Sequence, residues 1–277
     1  MRWSPMPDKS TGSDKDKGIT ILGRRKISIG FVILVLLILM ELASRATDFS
    51  IANGLASIPT AFVWMGTHLL PTTQSFSNLP TILSALWQTI LMALAATVLA
   101  AICALFFSLM GARTVSPNAI IARATRIVAA FFRNIPDVVW TIILLFSFGQ
   151  NMLTGIITLF FTTFGMLTRY FVEVIDEVCE ESAEALSATG ASFFQIFAQG
   201  IYPSTIPEVI NWTLFMVETN IRDATLIGIL TATGIGYVFN LFYTRMDFAS
   251  CGLVIISLAV IIISLELTSG RIKRVVV

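Results

Sequence analysis

Apolar runs break the chain into a regular pattern, at roughly residues 27–44, 82–110, 136–149, 152–172, 205–230 and 249–267. A helix needs about 20 mostly apolar residues to cross a hydrocarbon core of about 30 Å, and in lipid its backbone groups must bond within the segment. The pattern therefore predicts six membrane-spanning helices. Residues 50–80 hold a weaker run, IANGLASIPTAFVWMGTHLLP, interrupted by Pro59 and Pro71. It is too broken to span and predicts an interfacial or re-entrant element with Trp64 at headgroup level. Residues 1–23, with Pro5, Pro7 and alternating Asp and Lys, lack any period and predict a disordered tail. The organisation expected is a tail (1–23), a first span with an outer interfacial segment (24–79), a core bundle (80–270) and a short tail (271–277). No repeat of 30 to 50 residues is found, so a two-fold pathway would need a second chain.

Composition agrees, with 56% hydrophobic and only 13% charged residues. The net charge of +1 and the lack of a basic stripe with interleaved aromatics give no sign of nucleic-acid binding. Charge placement sets orientation. Arg24, Arg25 and Lys26 precede the first run, Arg113, Arg123 and Arg126 lie between the second and third, and Arg271, Lys273 and Arg274 follow the sixth. The alternate loops are poor in Lys and Arg, so the positive-inside rule puts both termini in the cytoplasm. A signal peptide is the competing reading of Ile27 to Met40, but Glu41 and Arg45 sit badly for cleavage and removal would leave an odd number of spans. Cys103, Cys179 and Cys251 are scattered, which excludes a disulfide framework or a CxxC metal site.

From Glu173 the chain reads EVIDEVCEESAEALSATGASFFQIFAQGIYP. Its acidic density cannot sit in hydrocarbon, so the segment leaves the membrane, on the cytoplasmic side by the charge pattern. Leu186, Gly190, Phe193 and Phe197 then recur at helical spacing, with Gly190 in the middle and Pro203 at the end. A glycine inside a helix costs about 1 kcal/mol relative to alanine. Close backbone approach or a sharp turn between two short helices would justify it, presenting Phe193 and Phe194 to a groove on another protein. An amphipathic connector on the inner leaflet fits the same pattern.

Glu184, Ala185, Gly190 and Pro203 resemble the E-A-A, three residues, G, terminal L-P signature of binding-protein-dependent ABC importer permeases, with Leu186 and Tyr202 as departures that keep the spacing. The stretches FFRNIPDVVWTIILLFSFG and FMVETNIRDATLIGILTATGIG resemble the corresponding segments of the phosphonate importer permeases, over roughly residues 80–267. The resemblance implies an all-α polytopic bundle with a methionine-permease-like fold (type I ABC importer permease), in the bacterial inner membrane with both termini cytoplasmic. It further implies a cytoplasmic coupling helix near 184–200, in which Glu184, Ala185, Gly190, Phe193, Phe194 and Pro203 engage a separate ABC ATPase dimer that carries ATP and Mg. The other partners implied are membrane lipid, an extracytoplasmic solute-binding protein and a second permease chain, identical or paralogous. Asp223, Ala232 and Thr233 depart from the family pattern.

Polar residues within the runs are candidates for a translocation pathway. Arg133 flanks Pro136 at a depth where irregular backbone survives only against protein or water; for Arg123 and Arg126 the preferred reading is contact with lipid headgroups. Glu218 and Arg222 are four apart and can pair, either to lock the helix or, with Asn220 and Thr225, to line a route for a small oxyanion whose geometry suits a guanidinium. Gly228, Gly234 and Gly236 permit tight crossing or unwound backbone. His68 is assigned no role. No Walker-type, G-x-S-x-G or H-E-x-x-H motif is found, and the acidic run lacks the pattern of a calcium loop, so no enzyme chemistry, cofactor or metal is expected in this chain. The cargo implied by the resemblance is phosphonate, phosphite or a phosphate ester. Another small solute such as an amino acid on the same machine, an ATP-independent channel or secondary transporter, and a structural scaffold are the rival readings.

Overall fold

The structure, a computed structural model, describes the backbone of residues 14–47 and 49–276, and side chains over that span except those of 14–24, 27, 51, 52, 178–187, 193, 194, 197, 198, 275 and 276. Two compact units divide at Met65 and Gly66. The first contains α1 (Asp14–Ala46) and most of α2 (Ile51–His68). Its side chains from Ile29 to Met40 are exposed all round the helix, the signature of a helix solvated by lipid. Helix α1 is already formed at Asp14, the first described residue, and so takes in residues 14–23 of the expected tail, since each residue added to a formed helix gains a backbone bond. Glu41 and Arg45 pair at 3.0 Å on its last turns. The broken run at 50–80 is likewise more helical than expected, because Pro59 is accommodated inside α2.

The second unit is a helical bundle. After a 3-10 turn (Ser75–Asn78) come α3 (Leu79–Gly111), α4 (Ala119–Asn134), α5 (Asp137–Phe148), α6 (Met152–Ala188), α7 (Phe193–Ile196), a π turn (Phe197–Ile201), α8 (Tyr202–Thr231), α9 (Gly234–Thr244) and α10 (Phe248–Val276). Helices α1, α3, α6 and α10 are each long and apolar enough to cross a membrane, while α4 with α5 and α8 with α9 are pairs bent by 88° and 55°. The spans number up to six when each bent pair counts as one. The expected third span at 136–149 is therefore only an arm. Helix α5 rises about 18 Å, short of a bilayer core. The bend has a local cause, because Ile135 precedes proline and is extended at φ −91° and ψ 120°, which stops α4 at Asn134.

Two further elements differ from expectation. Residues 232–247, between the fifth and sixth apolar runs, contain α9, which forms because Ala232 (φ 55°) and Gly234 (φ 59°) reverse the chain within three residues and the apolar GIGYVFNLFYT turns back into the bundle. Helix α10 runs to Val276, so the expected tail at 271–277 is mostly its last turns.

A stripe of small residues on α3 organises the core. Ala85, Thr89, Ala93, Ala96, Thr97, Ala100, Ala104, Ser108 and Gly111 are all buried, which lets neighbouring backbones come close where lipid supplies no hydrophobic force between helices. Buried clusters follow the stripe along its length. One joins Ile82 and Leu86 to Ile235, Phe242 and Val254, the next joins Met92 to Leu159, Ile221 and Ile227, then Ala104 meets Leu167, Phe171 and Met216, and finally Ala112 and Val115 meet Ile175 and Ile201. Buried hydroxyls on the stripe bond the preceding turn, as Thr97 Oγ1 does to the Ala93 carbonyl at 2.7 Å, so these groups are satisfied within their own helix.

Candidate coupling segment and pathway residues

Helix α6 does not stop at the acidic run. Glutamate is a good helix former, and the helix carries Glu184 and Ala185 into its last turn before ending at Ala188. Gly190 then turns the chain at φ +80°. A Cβ on Gly190 would meet nothing within 4 Å, so this glycine serves conformation and not packing. Ser192 follows as the start of α7. Its backbone N–H donates to Gln195 Oε1 at 2.8 Å, while Gln195 N and Ile196 N donate to its carbonyl at 2.9 and 3.0 Å. This is the reach-back half of a capping box, and the spacing S-x-x-Q that encodes it lay unread in the sequence.

The single helical face expected through Leu186, Gly190, Phe193 and Phe197 is not formed, because the left-handed turn at Gly190 separates α6 from α7. Beyond the glycine the candidate coupling segment continues as two short helical pieces. Phe193 and Phe194 open α7; their side chains, like those of Glu184 and Ala185, lie outside the described residues. Pro203 is exposed in the first turn of α8, where a missing N–H costs nothing. Ile196 and buried Ile201 seat the segment against Ala112, Val115 and Ile175, next to the α3–α4 loop.

Asp176 ties this end together. Its Oδ1 accepts from Arg113 N at 2.7 Å, Thr114 N at 3.3 Å and Thr114 Oγ1 at 2.9 Å. Its Oδ2 accepts from Arg126 at 2.7 Å, and Arg126 Nε donates to the Gly111 carbonyl at 2.9 Å. Arg126 thus caps α3 and pairs within the protein, which corrects the headgroup assignment made from sequence; Arg123, one turn away, is exposed. The carbonyls that end α3 have no intrahelical partner, and the guanidinium supplies one.

The pathway candidates separate into three groups. Glu218 and Arg222 pair at 2.8 Å on α8, with the carboxylate side chain 15% and the guanidinium 49% exposed, and Asp223 lies within electrostatic reach of both Arg222 and Asp137. The 88° bend at Pro136 brings Asp137 there, a juxtaposition that the sequence did not reveal. Arg133 sits apart, half-buried at the end of α4. Asn220 is in the core. Its Nδ2 donates to Thr97 Oγ1 at 2.7 Å and Thr163 Oγ1 at 2.8 Å, joining α3, α6 and α8. Thr225 bonds its own helix at the Ile221 carbonyl, 3.2 Å away.

Gly234 and Gly236 hold α9 in place. A Cβ on Gly236 would overlap the Thr225 carbonyl, and one on Gly234 would overlap Thr89 Oγ1. That hydroxyl accepts from Ile235 N at 2.9 Å and satisfies an orphan donor at the start of α9. Among the described residues no group of three or more His, Cys, Asp or Glu could hold a metal ion.

A bundle of apolar helices with two broken spans, a polar face on α8 and a glycine-turned segment beyond its longest helix defines a multi-pass membrane transport subunit. The chain belongs to the family of binding-protein-dependent transport system inner membrane components, whose model matches residues 104–276. It is 24% identical over 225 residues to the phosphite transport system permease protein PtxC of Stutzerimonas stutzeri, covering 81% of this chain and 80% of that one. It is 28% identical over 165 residues to the phosphate-import permease protein PhnE of Mycolicibacterium smegmatis, covering 60% of this chain but only 31% of PhnE. In fold it is similar to the inward-facing MetNI methionine ABC transporter, with a TM-score of 0.65 and 19% identity over 71% of this chain and 96% of that one. The fold is that of a type I ABC importer permease in the inner membrane.

Proposed function

We propose that this chain is the permease subunit of an ATP-driven importer for phosphonate or a related phosphorus oxyanion such as phosphite or a phosphate ester. The reading of the cargo is supported by relatives named for phosphite and phosphate transport. The single observation that carries the coupling is the hinge at Gly190, a left-handed turn in open space that hangs a short capped helix beyond α6. In this reading both termini are cytoplasmic, Glu184, Ala185, Gly190, Phe193, Phe194 and Pro203 form the docking element, and a separate ATPase dimer binds ATP and Mg. A second copy of the chain completes the pathway, and an extracytoplasmic binding protein delivers cargo.

ATP-driven closure of the ATPases draws the two coupling segments together, and the bundles rotate between inward-open and outward-open states. Arg222 offers parallel donors to a passing oxyanion, with Glu218 holding the guanidinium in place. Such contact has to stay weak, since a tightly held ion would block the path. Arg133, Pro136, Thr225, Gly234 and Gly236 belong to the same assignment, the last two as the packing that closes the α8–α9 end; Asn220 enters it as the cross-helix tie beneath Arg222. Uptake of phosphite, methylphosphonate, phosphate and an amino acid by proteoliposomes holding the permease, ATPase and binding protein tests this reading. The expected result is ATP-dependent uptake of a phosphorus oxyanion and none of the amino acid; uptake without ATPase contradicts it.

A further inference from the structure

At the end of the bundle that carries the coupling segment, a recess of about 210 Å³ lies between α4 and α6, with Arg126, Ala129 and Arg133 on one wall and Thr168, Arg169 and Glu173 on the other. Gly165 makes the site possible. A Cβ there would meet the Ala129 carbonyl and Arg133 N at 2.7 Å, so the last turns of α4 rest directly on α6 and bring Arg133 beside Thr168. Arg169 lies about 12 Å of helix rise inside the apolar span that ends at Glu177.

Two observations point to a missing ligand. Thr168 is completely buried, yet its Oγ1 has no hydrogen-bond partner, a state that among the described residues it shares with Thr158, whereas Thr97, Thr205 and Thr231 bond the preceding turn. An unsatisfied buried hydroxyl costs about 1–3 kcal/mol. Second, the charges do not cancel. Arg126 pairs with Asp176 and Arg169 with Glu173 at 2.6 Å, while Arg133 forms no ion pair among the described residues and is half-buried. The recess is left with one net positive charge and donors on both walls.

We propose that this recess binds a tetrahedral phosphorus oxyanion of about one negative charge, either a free phosphite-, phosphonate- or phosphate-type ion or the phosphate of a lipid headgroup. Arg133 supplies the charge and a forked pair of donors, Thr168 supplies a hydroxyl, and Arg169 turns from Glu173 to the anion. The volume is below the roughly 300–1,000 Å³ of drug-sized pockets and suits a small ion with water. The free-ion identity rests on the proposed function; the recess itself does not.

The test uses the full permease–ATPase complex in nanodiscs of phosphatidylcholine alone or with added phosphatidylglycerol. Phosphate and phosphite binding is read by phosphorus-31 NMR and lipid retention by native mass spectrometry. With a free ion as ligand, Arg133→Gln and Thr168→Val each weaken phosphite binding about tenfold, the size of one charge-assisted hydrogen bond, while Thr168→Ser and Arg123→Gln leave it unchanged. With a lipid as ligand, free ions do not bind and the same two variants lose phosphatidylglycerol. Binding of neither probe, or equal binding in all variants, overturns the proposal. ATP-dependent phosphite uptake by the wild type is measured in parallel: its absence with site binding intact refutes the cargo reading and leaves the recess standing, whereas normal uptake with no binding at the site refutes the recess alone.

Discussion

The helical bundle packs its helices on glycine along its whole length, Gly165 included, but in the segment beyond α6 it uses glycine in the opposite way. At the α8–α9 end, Gly228, Gly236 and Gly252 are jammed against backbone: a Cβ on each would strike the carbonyl of Thr233, Thr225 or Leu69. At the other end Gly190 turns the chain at φ +80° with nothing near it. One set removes a side chain so that helices can touch, and the other removes it so that the chain can bend. The first end is thereby locked by packing and hydrogen bonds, and the second is a jointed segment resting on Ile175, Ala112 and Val115. Under the proposed coupling, that division gives rigidity to one end and freedom to the driven segment.

Substitutions that exchange these roles break the comparison in graded steps. Gly236→Ala has the largest effect, because the Thr225 carbonyl belongs to a helix and cannot step aside; it should destabilise the complex by about 3 kcal/mol, read as a lowered thermal midpoint and poor yield. Asp176→Asn comes next. It removes the Arg126 ion pair and weakens the cap on α3, and since both side chains are partly exposed, at 34% and 27%, the expected cost is about 1–2 kcal/mol, with faster proteolysis between 112 and 118. Asn220→Leu cuts the tie to Thr97 and Thr163 and should cost about 1 kcal/mol, with ATPase activity retained. Gly190→Ala has the smallest effect on stability. It creates no clash, and its left-handed backbone costs about 1–2 kcal/mol locally, which melts the turn and not the bundle. Solute uptake should fall several-fold while the thermal midpoint stays put. A midpoint shift as large as that of Gly236→Ala would show that Gly190 is a packing residue after all.

Much of this was legible in the chain because the signals were local. Four of the six apolar runs fell on helices long enough to span, the other two on single arms of the bent pairs, and Pro136 marked a break. The i, i+4 spacing of Glu218 with Arg222 foretold the pair found at 2.8 Å. What stayed hidden depended on distant partners. Arg126 looked like a headgroup anchor since Asp176, its counter-ion, lies far along the chain within an acidic run that reads as uniform charge. The cross-helix bonds of Asn220 were hidden because nothing local announces Thr97 and Thr163. Helix α9 was hidden because its αL turn falls on Ala232, which is no turn-forming residue, and because Thr89, which accepts from Ile235 N, lies far along the chain. Other signals were local and missed, such as the small residue at nearly every fourth position from Ala85 to Ser108 and the S-x-x-Q of Ser192.

The account stands on the coupling segment facing the cytosol and bearing on the ATPase. In a background with Cys103, Cys179 and Cys251 replaced, Gln195→Cys is probed with a membrane-impermeant maleimide. The prediction is no labelling in intact cells, labelling after the inner membrane is opened, and protection when the ATPase is bound. Labelling of intact cells contradicts the account.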